Sequence, residues 1–171
     1  WMAPLLMRRL TADRSVEYTD LTASPSMRKI NRQIGFSDHS EGSVFVPVPV
    51  AALRAGRGAR IVPLDAIRPG ALPDAHIRLL DQHAALGCIA VALEIYGTCH
   101  PLILASSPRR RMPCARVILV RDRQLIRKGL GPIARHLLKR GFAFLEFDAH
   151  AKAGFPEAMF STEVAPVQST R

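Results

Sequence analysis

Cysteines, aromatic residues and acidic residues are all scarce in this chain of 171 residues. Three cysteines do not form a disulfide framework, so the reducing cytosol is the simplest compartment and we expect a cytoplasmic protein. Aromatic residues make up 6% of the chain, and none lies between residues 97 and 141. This scarcity counts against a protein that binds nucleic acid by stacking bases on aromatic rings.

A long apolar run is also missing from the sequence. The longest candidate, residues 88–106, is interrupted by Glu94, Gly97, His100 and Pro101, so it lacks the composition of a membrane span. The cysteines and histidines match no zinc-ligand spacing. We therefore expect neither membrane insertion nor a bound metal.

Positive charge is what the chain has in excess, because 24 basic residues stand against 14 acidic ones and give a net charge of +10. Residues 107–140 hold eleven of the bases and a single acid, Asp122, so this segment accounts for the whole excess. Such a field attracts a polyanion, which is either a phosphate-bearing cofactor, a nucleic acid or an acidic partner.

Apolar periodicity and turn residues predict the order of the secondary-structure elements. Helices are expected at residues 3–10, 24–35, 74–86 and 131–140, and strands at 16–22, 43–50, 59–67, 88–96, 99–105, 115–120 and 142–147. Gly97-Thr98 predicts a hairpin between the strands at 88–96 and 99–105. This mixture predicts an α/β fold of the α+β type, with a mixed, mostly antiparallel twisted sheet flanked by helices.

An internal repeat is indicated by two segments, residues 3–10 and 131–138. Each has a small residue, a proline and a basic amphipathic pattern, and each is followed by a β-prone stretch. We interpret them as copies of one helix–strand unit, the first of which begins abruptly, as expected for a fragment. The predicted organisation is a half-unit at 1–50, a connector at 51–58, a unit at 59–150 and a frayed tail at 151–171. A homodimer is expected to cover exposed strand edges.

A glycine-containing segment follows the predicted strand at 115–120. Gly129-Leu130-Gly131 comes just before Pro132, at the predicted start of a helix, which predicts a turn whose backbone N–H groups face an anion. Arg127 and Lys128 add charge beside this turn. The alternative is an ordinary loop that caps a helix, and the spacing is not that of a P-loop. If these N–H groups are bonded within the protein, or the turn is packed shut, it cannot hold a diphosphate, and the interpretation of this segment as a site for a diphosphate-bearing cofactor fails with it.

The order strand, helix, hairpin, strand, basic Gly-x-Gly turn, helix and strand resembles the GNAT superfamily of acyl-CoA N-acyltransferases. Gly129-Leu130-Gly131 falls at the end of that family's Arg/Gln-x-x-Gly-x-Gly/Ala pyrophosphate loop, and Ser24-Pro25 through Gly35-Phe36 is similar to its late helix ending in Gly-Phe. The resemblance implies acetyl-CoA or another acyl-CoA as co-substrate. The residues that would hold it are Val120, Arg121, Arg127, Lys128, Gly129, Leu130 and Gly131.

Two positions depart from the family pattern. Ile126 stands where the first Arg or Gln of the loop is expected. Asn31 stands four residues before Gly35, where many members carry a Tyr that protonates the leaving thiolate. An amide has no dissociable proton at neutral pH, so Asn31 cannot take that role.

The predicted function is transfer of an acetyl or other acyl group from a CoA thioester to a primary amine, on a small molecule or a protein. Glu146 and Glu94 are the candidate proton acceptors, and Tyr96 or Tyr18 is the candidate proton donor. Two alternatives stay open. One is a catalytically degenerate GNAT-like module that binds a ligand or supports an oligomer, and the other is a basic protein that binds nucleic acid.

Overall fold

The computed structural model describes residues 19–20, 25–38, 40, 42–56, 58–107, 112–149, 155–162 and 168–170. In this part of the chain the strands are β1 Thr19–Asp20, β2 Phe36–Asp38, β3 Gly42–Pro47, β4 Ala59–Pro63, β5 Ile89–Ile95, β6 Thr98–Ser106, β7 Cys114–Val120, β8 Phe144–Ala149, β9 Met159–Ser161 and β10 Gln168–Thr170. The helices are α1 Pro25–Gln33, α2 Val48–Ala52, α3 Asp74–Ala85 and α4 Arg123–Leu138, with a 3₁₀ turn at Leu64–Ala66. The predicted helix at 3–10 and Tyr18 lie outside the described residues.

The chain divides into two compact units. The smaller unit combines residues 1–44 with 148–152 and 160–171, and the larger unit combines residues 45–147 with 153–159. In the smaller unit, β10 lies between β1 and β2 in a three-stranded antiparallel sheet, where Ser169 faces Thr19 on one side and Ser37 on the other. The predicted connector at 51–58 lies inside the larger unit, and the assignment of 1–50 and 59–150 to separate repeats stays a prediction.

The main sheet has seven strands in the order β4-β5-β6-β7-β8-β3-β9 among the described residues. Strands β4 to β7 pair antiparallel in succession, whereas β7 and β8 run parallel. The predicted mixed, mostly antiparallel sheet flanked by helices is therefore confirmed.

The hairpin that joins β5 and β6 confirms one local prediction. Its turn residues Tyr96 and Gly97 both have positive φ, 48° and 83°. Two successive positive φ values are the signature of the tight turn whose twist suits a hairpin. The predicted helix at 74–86 is likewise confirmed as α3.

The register of β4, β5 and β6 assigns residues to the two faces of the sheet. Val62 and Ala92 are directly opposite each other, and together with Leu80 of α3 they belong to one buried apolar cluster. Leu93 points to the other face, because side chains alternate along a strand. There it meets α4, since a Cβ built on Gly129 would lie 2.7 Å from Leu93 Cδ1.

Helix α4 forms because its start is capped and one of its faces is apolar. Asp122 Oδ1 accepts a hydrogen bond from the backbone N–H of Gln124 at 2.9 Å, which satisfies an end group of the helix. The buried side chains recur at helical spacing and are Ile126, Leu130, Ile133 and Leu137. Burying each such side chain contributes roughly 1.5–3 kcal/mol.

Three local predictions need correction. The strand predicted at 43–50 ends at Pro47 and continues as α2, because Pro49 donates no hydrogen bond to a sheet but fits the first turn of a helix. The strand predicted at 59–67 ends at Pro63, where the 3₁₀ turn begins. The tail predicted to fray contains β9 and β10, each of which gains backbone partners from a sheet.

Candidate functional site

A fork between the parallel strands β7 and β8 is the main feature of the larger unit that could hold an extended ligand. Their pairing covers three positions and ends at Arg116 opposite Glu146. Beyond that point β7 continues to Val120 while paired with β6, and β8 continues to Phe147 within the larger unit. On the C-terminal side of the Arg116–Glu146 pair, the facing edges of β7 and β8 therefore form no backbone hydrogen bonds with each other.

Glu146 lies at the apex of this fork and is fully buried, with 0% of the residue exposed. Its Oε1 lies 3.5 Å from Nη1 of Arg116. A buried carboxylate is very costly without charged or hydrogen-bonded partners, and Arg116 supplies one such partner to this acid between two central strands. The pairing places one predicted catalytic residue at the centre of the fork.

The open end of the fork, which we call its mouth, lies where β7 ends at Val120, and it is basic. His100 of β6 has its pKa lowered from the usual 6.5, mainly by burial and further by the charges of Arg121 and Lys128. The lowered pKa indicates that His100 of β6, Arg121 after the end of β7 and Lys128 of α4 lie near one another. A neutral imidazole beside two cations forms a surface on which an anion is favoured.

The predicted turn at 127–132 is wrong, because these residues are inside helix α4. Gly129, Leu130 and Gly131 are buried there, and N–H groups in a helix interior bond to the carbonyl four residues earlier. A Cβ on Gly129 would collide with Leu93, and one on Gly131 would collide with the backbone oxygen of Arg54. The two glycines thus permit close packing of α4, and they do not form a diphosphate cradle.

Glu94 and Tyr96, the other predicted catalytic residues, lie elsewhere. Glu94 of β5 accepts two hydrogen bonds from Arg60, from Nε at 2.9 Å and from Nη2 at 2.7 Å. The hydrogen bond from Arg60 is the main cause of a lowered pKa at Glu94, against which burial acts. Tyr96 is 78% exposed in the hairpin turn, and its ring lies over Gly58.

The structure does not bring Glu94 or Tyr96 next to Glu146. Strands β5 and β8 are separated by β6 and β7, which alone sets Glu94 and Glu146 roughly 14 Å apart across the sheet at the usual strand spacing. They also lie at different levels along the strands, because Glu94 pairs with Cys99 of β6 whereas Glu146 is aligned through Arg116 with Ala105 of β6. A catalytic role for Glu94 or Tyr96 stays a prediction that no shared site supports.

A second basic surface lies between α4 and the edge strand β4. It is a cavity of about 320 Å³, and its lining residues are Ala59, Arg60, Ile61, Pro132, Arg135, His136 and Lys139. Arg135 is held in place because its Nη1 donates to the backbone oxygens of Ala52 and Arg54, at 3.0 and 2.9 Å. The pKa of His136 is lowered by burial and by Arg140 and Lys139. Among the described residues, no acidic side chain lines this groove.

The Arg116–Glu146 pair is the feature of the candidate site that sequence reasoning missed. Each residue is the third of its strand, Cys114–Val120 and Phe144–Ala149. Opposite charges at equivalent positions of two strands joined by one helix were the available signal. It identifies a pair only once those strands are known to be neighbours.

Two absences hold within the described residues. No group of three or more His, Cys, Asp and Glu side chains there is arranged to hold a metal ion. None of the helices described above combines the length and the apolar character that crossing a membrane requires.

In the smaller unit, Asn31 of α1 is fully buried.

Comparisons with known proteins give matches among solved structures. No protein-family model and no curated protein matches the chain. A GCN5-related N-acetyltransferase from Anabaena variabilis aligns with a TM-score of 0.54 and 12% identity, over 98% of this chain and 50% of that one. A functionally unknown conserved protein from Staphylococcus epidermidis aligns with a TM-score of 0.45 and 9% identity, over 98% of this chain and 76% of that one. The C-terminal domain (DUF2156) of a protein from Agrobacterium fabrum aligns with a TM-score of 0.36 and 14% identity, over 84% of this chain and 57% of that one.

The Anabaena structure shows that this chain has the fold of a GCN5-related N-acetyltransferase. The resemblance to the GNAT superfamily is therefore confirmed at the level of the fold. The chain spans about half the length of the Anabaena protein.

Proposed function

We propose that the larger unit binds an acyl-CoA in the fork between β7 and β8 and transfers its acyl group to a primary amine. The observation that carries this proposal is the end of the β7–β8 pairing at Arg116 and Glu146. Two parallel strands that separate inside a sheet present backbone groups at the right spacing for the amides of an extended ligand such as pantetheine. The fold shared with an N-acetyltransferase supports the same activity.

The phosphates of the ligand fit side chains at the mouth of the fork. The charges of Arg121 and Lys128 at this mouth lower the pKa of His100. Arg127 is exposed on the same helix as Lys128. Guanidinium and ammonium groups make the strong, charge-assisted hydrogen bonds that phosphate oxygens accept. The buried Gly129 and Gly131 do not fit this role, so the proposal assigns phosphate binding to side chains.

Glu146 is the proposed proton acceptor, because it is the carboxylate at the apex of the fork. The amine nitrogen attacks the thioester carbonyl carbon, a C–N bond forms, and the C–S bond breaks with its electron pair on sulfur. The amine proton passes to Glu146 and from there to the sulfur, directly or through water. The products are the amide and the free thiol of CoA, and Glu146 ends as a carboxylate.

Calorimetric titration with acetyl-CoA tests the binding step. The change is a double variant, Arg121→Gln with Lys128→Gln, and the control is Arg78→Gln, which removes an exposed guanidinium on α3. We expect the double variant to bind at least about tenfold more weakly, since about 1.4 kcal/mol of lost interaction gives that factor. No heat from the wild-type protein at saturating acetyl-CoA would count decisively against the proposal.

Release of free thiol with a panel of primary amines tests the chemical step. We expect Glu146→Gln to lower transfer by about a hundredfold or more while acetyl-CoA still binds, because a general base contributes on that scale. A thermal melt of the variant checks that it remains folded. Equal turnover by a folded Glu146→Gln protein would remove Glu146 from the mechanism.

A second candidate function, a non-catalytic GNAT-like module, is favoured by the burial of Gly-x-Gly within α4. Acetyl-CoA binding without thiol release from any amine would support it. Nucleic-acid binding is favoured by the groove at Arg135, His136 and Lys139, whose described lining residues include no acid. Strongly salt-dependent binding of DNA or RNA, without acetyl-CoA binding, is the result expected in that case. A cytoplasmic location and a homodimer remain predictions.

A further inference from the structure

A second cavity of about 320 Å³ lies on the face of the sheet opposite to α4, within the larger unit. Its floor is a row across three strands, Arg60 of β4, Glu94 of β5 and Cys99 of β6, which are neighbours in the register. Its wall is the segment from Ala66 to Ala71, which includes the Pro69-Gly70 turn. Gly70 has a φ of 76°, so this sharp bend suits glycine.

Two guanidinium groups in this cavity have donors to spare. Arg60 uses Nε and Nη2 on the two oxygens of Glu94, which fixes the plane of the group and leaves Nη1 outside that contact. Arg68 lines the cavity, and its side chain makes no hydrogen bond or ion pair among the described residues. It acts on Glu94 and Cys99 only as a nearby charge.

The charges that line the cavity sum to a single positive one. Arg60 and Arg68 are cations, Glu94 is an anion, and the pKa of the Cys99 thiol is raised by burial and by Glu94, so this thiol is neutral. A dianion such as phosphate would overbalance this charge and meet Glu94 as well. A monoanion is balanced. The remaining lining side chains include Val62, Ala66, Pro69 and Ala71, which are apolar.

We propose that this cavity binds a small monocarboxylate with a short apolar body. Its carboxylate accepts a pair of hydrogen bonds from the guanidinium of Arg68, the geometry in which arginine binds carboxylates best. Its apolar part lies against Val62 and Pro69. The proposal does not depend on acyl transfer, because the cavity and the fork involve different residues.

Alkylation of Cys99 by iodoacetamide, followed by peptide mass spectrometry, gives a readout confined to this cavity. The probe is hexanoate, and Cys88, a partly exposed free cysteine outside the cavity, is the internal reference. We expect hexanoate to slow the alkylation of Cys99 and to leave that of Cys88 unchanged. The half-protecting concentration should rise at least about tenfold in Arg68→Gln, the loss expected when one strong bidentate interaction is removed.

Three comparisons keep the test decisive. Arg78→Gln, which removes an exposed arginine outside the cavity, should give wild-type protection. Hexan-1-ol has the same body without the charge and should protect weakly, and inorganic phosphate should protect little. The proposal is overturned if hexan-1-ol or phosphate protects as well as hexanoate, or if Arg68→Gln leaves the protection by hexanoate intact.

Discussion

The Arg116–Glu146 ion pair is the single contact from which we expect the largest effect on stability. Glu146 is fully buried, whereas the Arg116 side chain is 23% exposed. Removing the arginine therefore takes a charged partner from an acid with no access to water, whereas removing the acid takes one from a guanidinium that reaches solvent in part. The two single substitutions should therefore lower the free energy of unfolding by different amounts.

We expect Arg116→Met to lower the free energy of unfolding by about 3 kcal/mol or more, the range for breaking a buried pair from one side. Adding Glu146→Leu to it should recover more than half of the loss, because no buried charge then remains. Urea denaturation of the single and double variants measures both values. Simple additivity of the two losses would mean that the pair is not coupled.

Residue types alone could not reveal this pair. Arg116 and Glu146 are separated by a whole helix in the sequence, and only the parallel register brings them opposite each other. The sequence indicates Glu146 as a candidate proton acceptor, whereas it does not single out Arg116 as its partner. A long-range contact of this kind depends on topology, which local patterns do not encode.

Close packing determines whether helix α4 tolerates alanine in place of glycine. Glycine usually weakens a helix interior by about 1 kcal/mol relative to alanine, so Gly129→Ala would stabilise an isolated helix. Here the new methyl group would meet Leu93, which is itself buried. The steric cost, typically 1–3 kcal/mol for overpacking, exceeds the gain.

We therefore expect Gly129→Ala to destabilise the protein by about 1 kcal/mol, and Leu93→Val in the same chain to restore part of that loss. Gly131→Ala should cost more, since the obstacle is the backbone oxygen of Arg54, which no side-chain change removes. Thermal unfolding of the three variants checks the order. A Gly129→Ala protein more stable than wild type would show that Leu93 gives way to the new methyl group and that the gain in helix propensity outweighs the packing cost.

Elements with strong local signals were predictable from the sequence, and α4 shows where this fails. The β5–β6 hairpin and α3 follow directly from periodicity and from a turn containing Gly97. The start of α4 was misplaced by eight residues, at Gly131 instead of Arg123, because Gly-x-Gly is typical of turns. Tertiary packing against β5 outweighs that local preference, and a single sequence does not show it.

On the scale of the whole molecule, two histidines link stability to pH. The pKa values of His100 and His136 are lowered mainly by burial, so the folded state holds fewer protons than the unfolded chain below the usual value of 6.5. Acidification through that range must favour unfolding. Glu94 affects stability at a lower pH. Because its pKa is lowered in the folded state, its contribution to the free energy of unfolding declines only below the usual value of 4.5.

We expect the free energy of unfolding to fall between about pH 7.5 and about pH 5.5, the range in which ordinary histidines take up a proton. His100→Asn combined with His136→Asn should remove most of this fall and leave a flatter profile. Denaturant titrations across the range measure the slope of each protein. An unchanged slope in the double variant would assign the pH dependence to other groups.

The position of β10 between β1 and β2 has a consequence for how the chain folds as it is made. Among the described residues, the smaller sheet joins residues 19–20 and 36–38 through residues 168–170. A growing chain halted on the ribosome at residue 162 would already contain all the described strands of the main sheet, yet it would lack the strand that links β1 to β2. Closing such a distant contact is slow. Protection of the β1 and β2 amides from hydrogen exchange should accordingly be among the last signals to develop after synthesis.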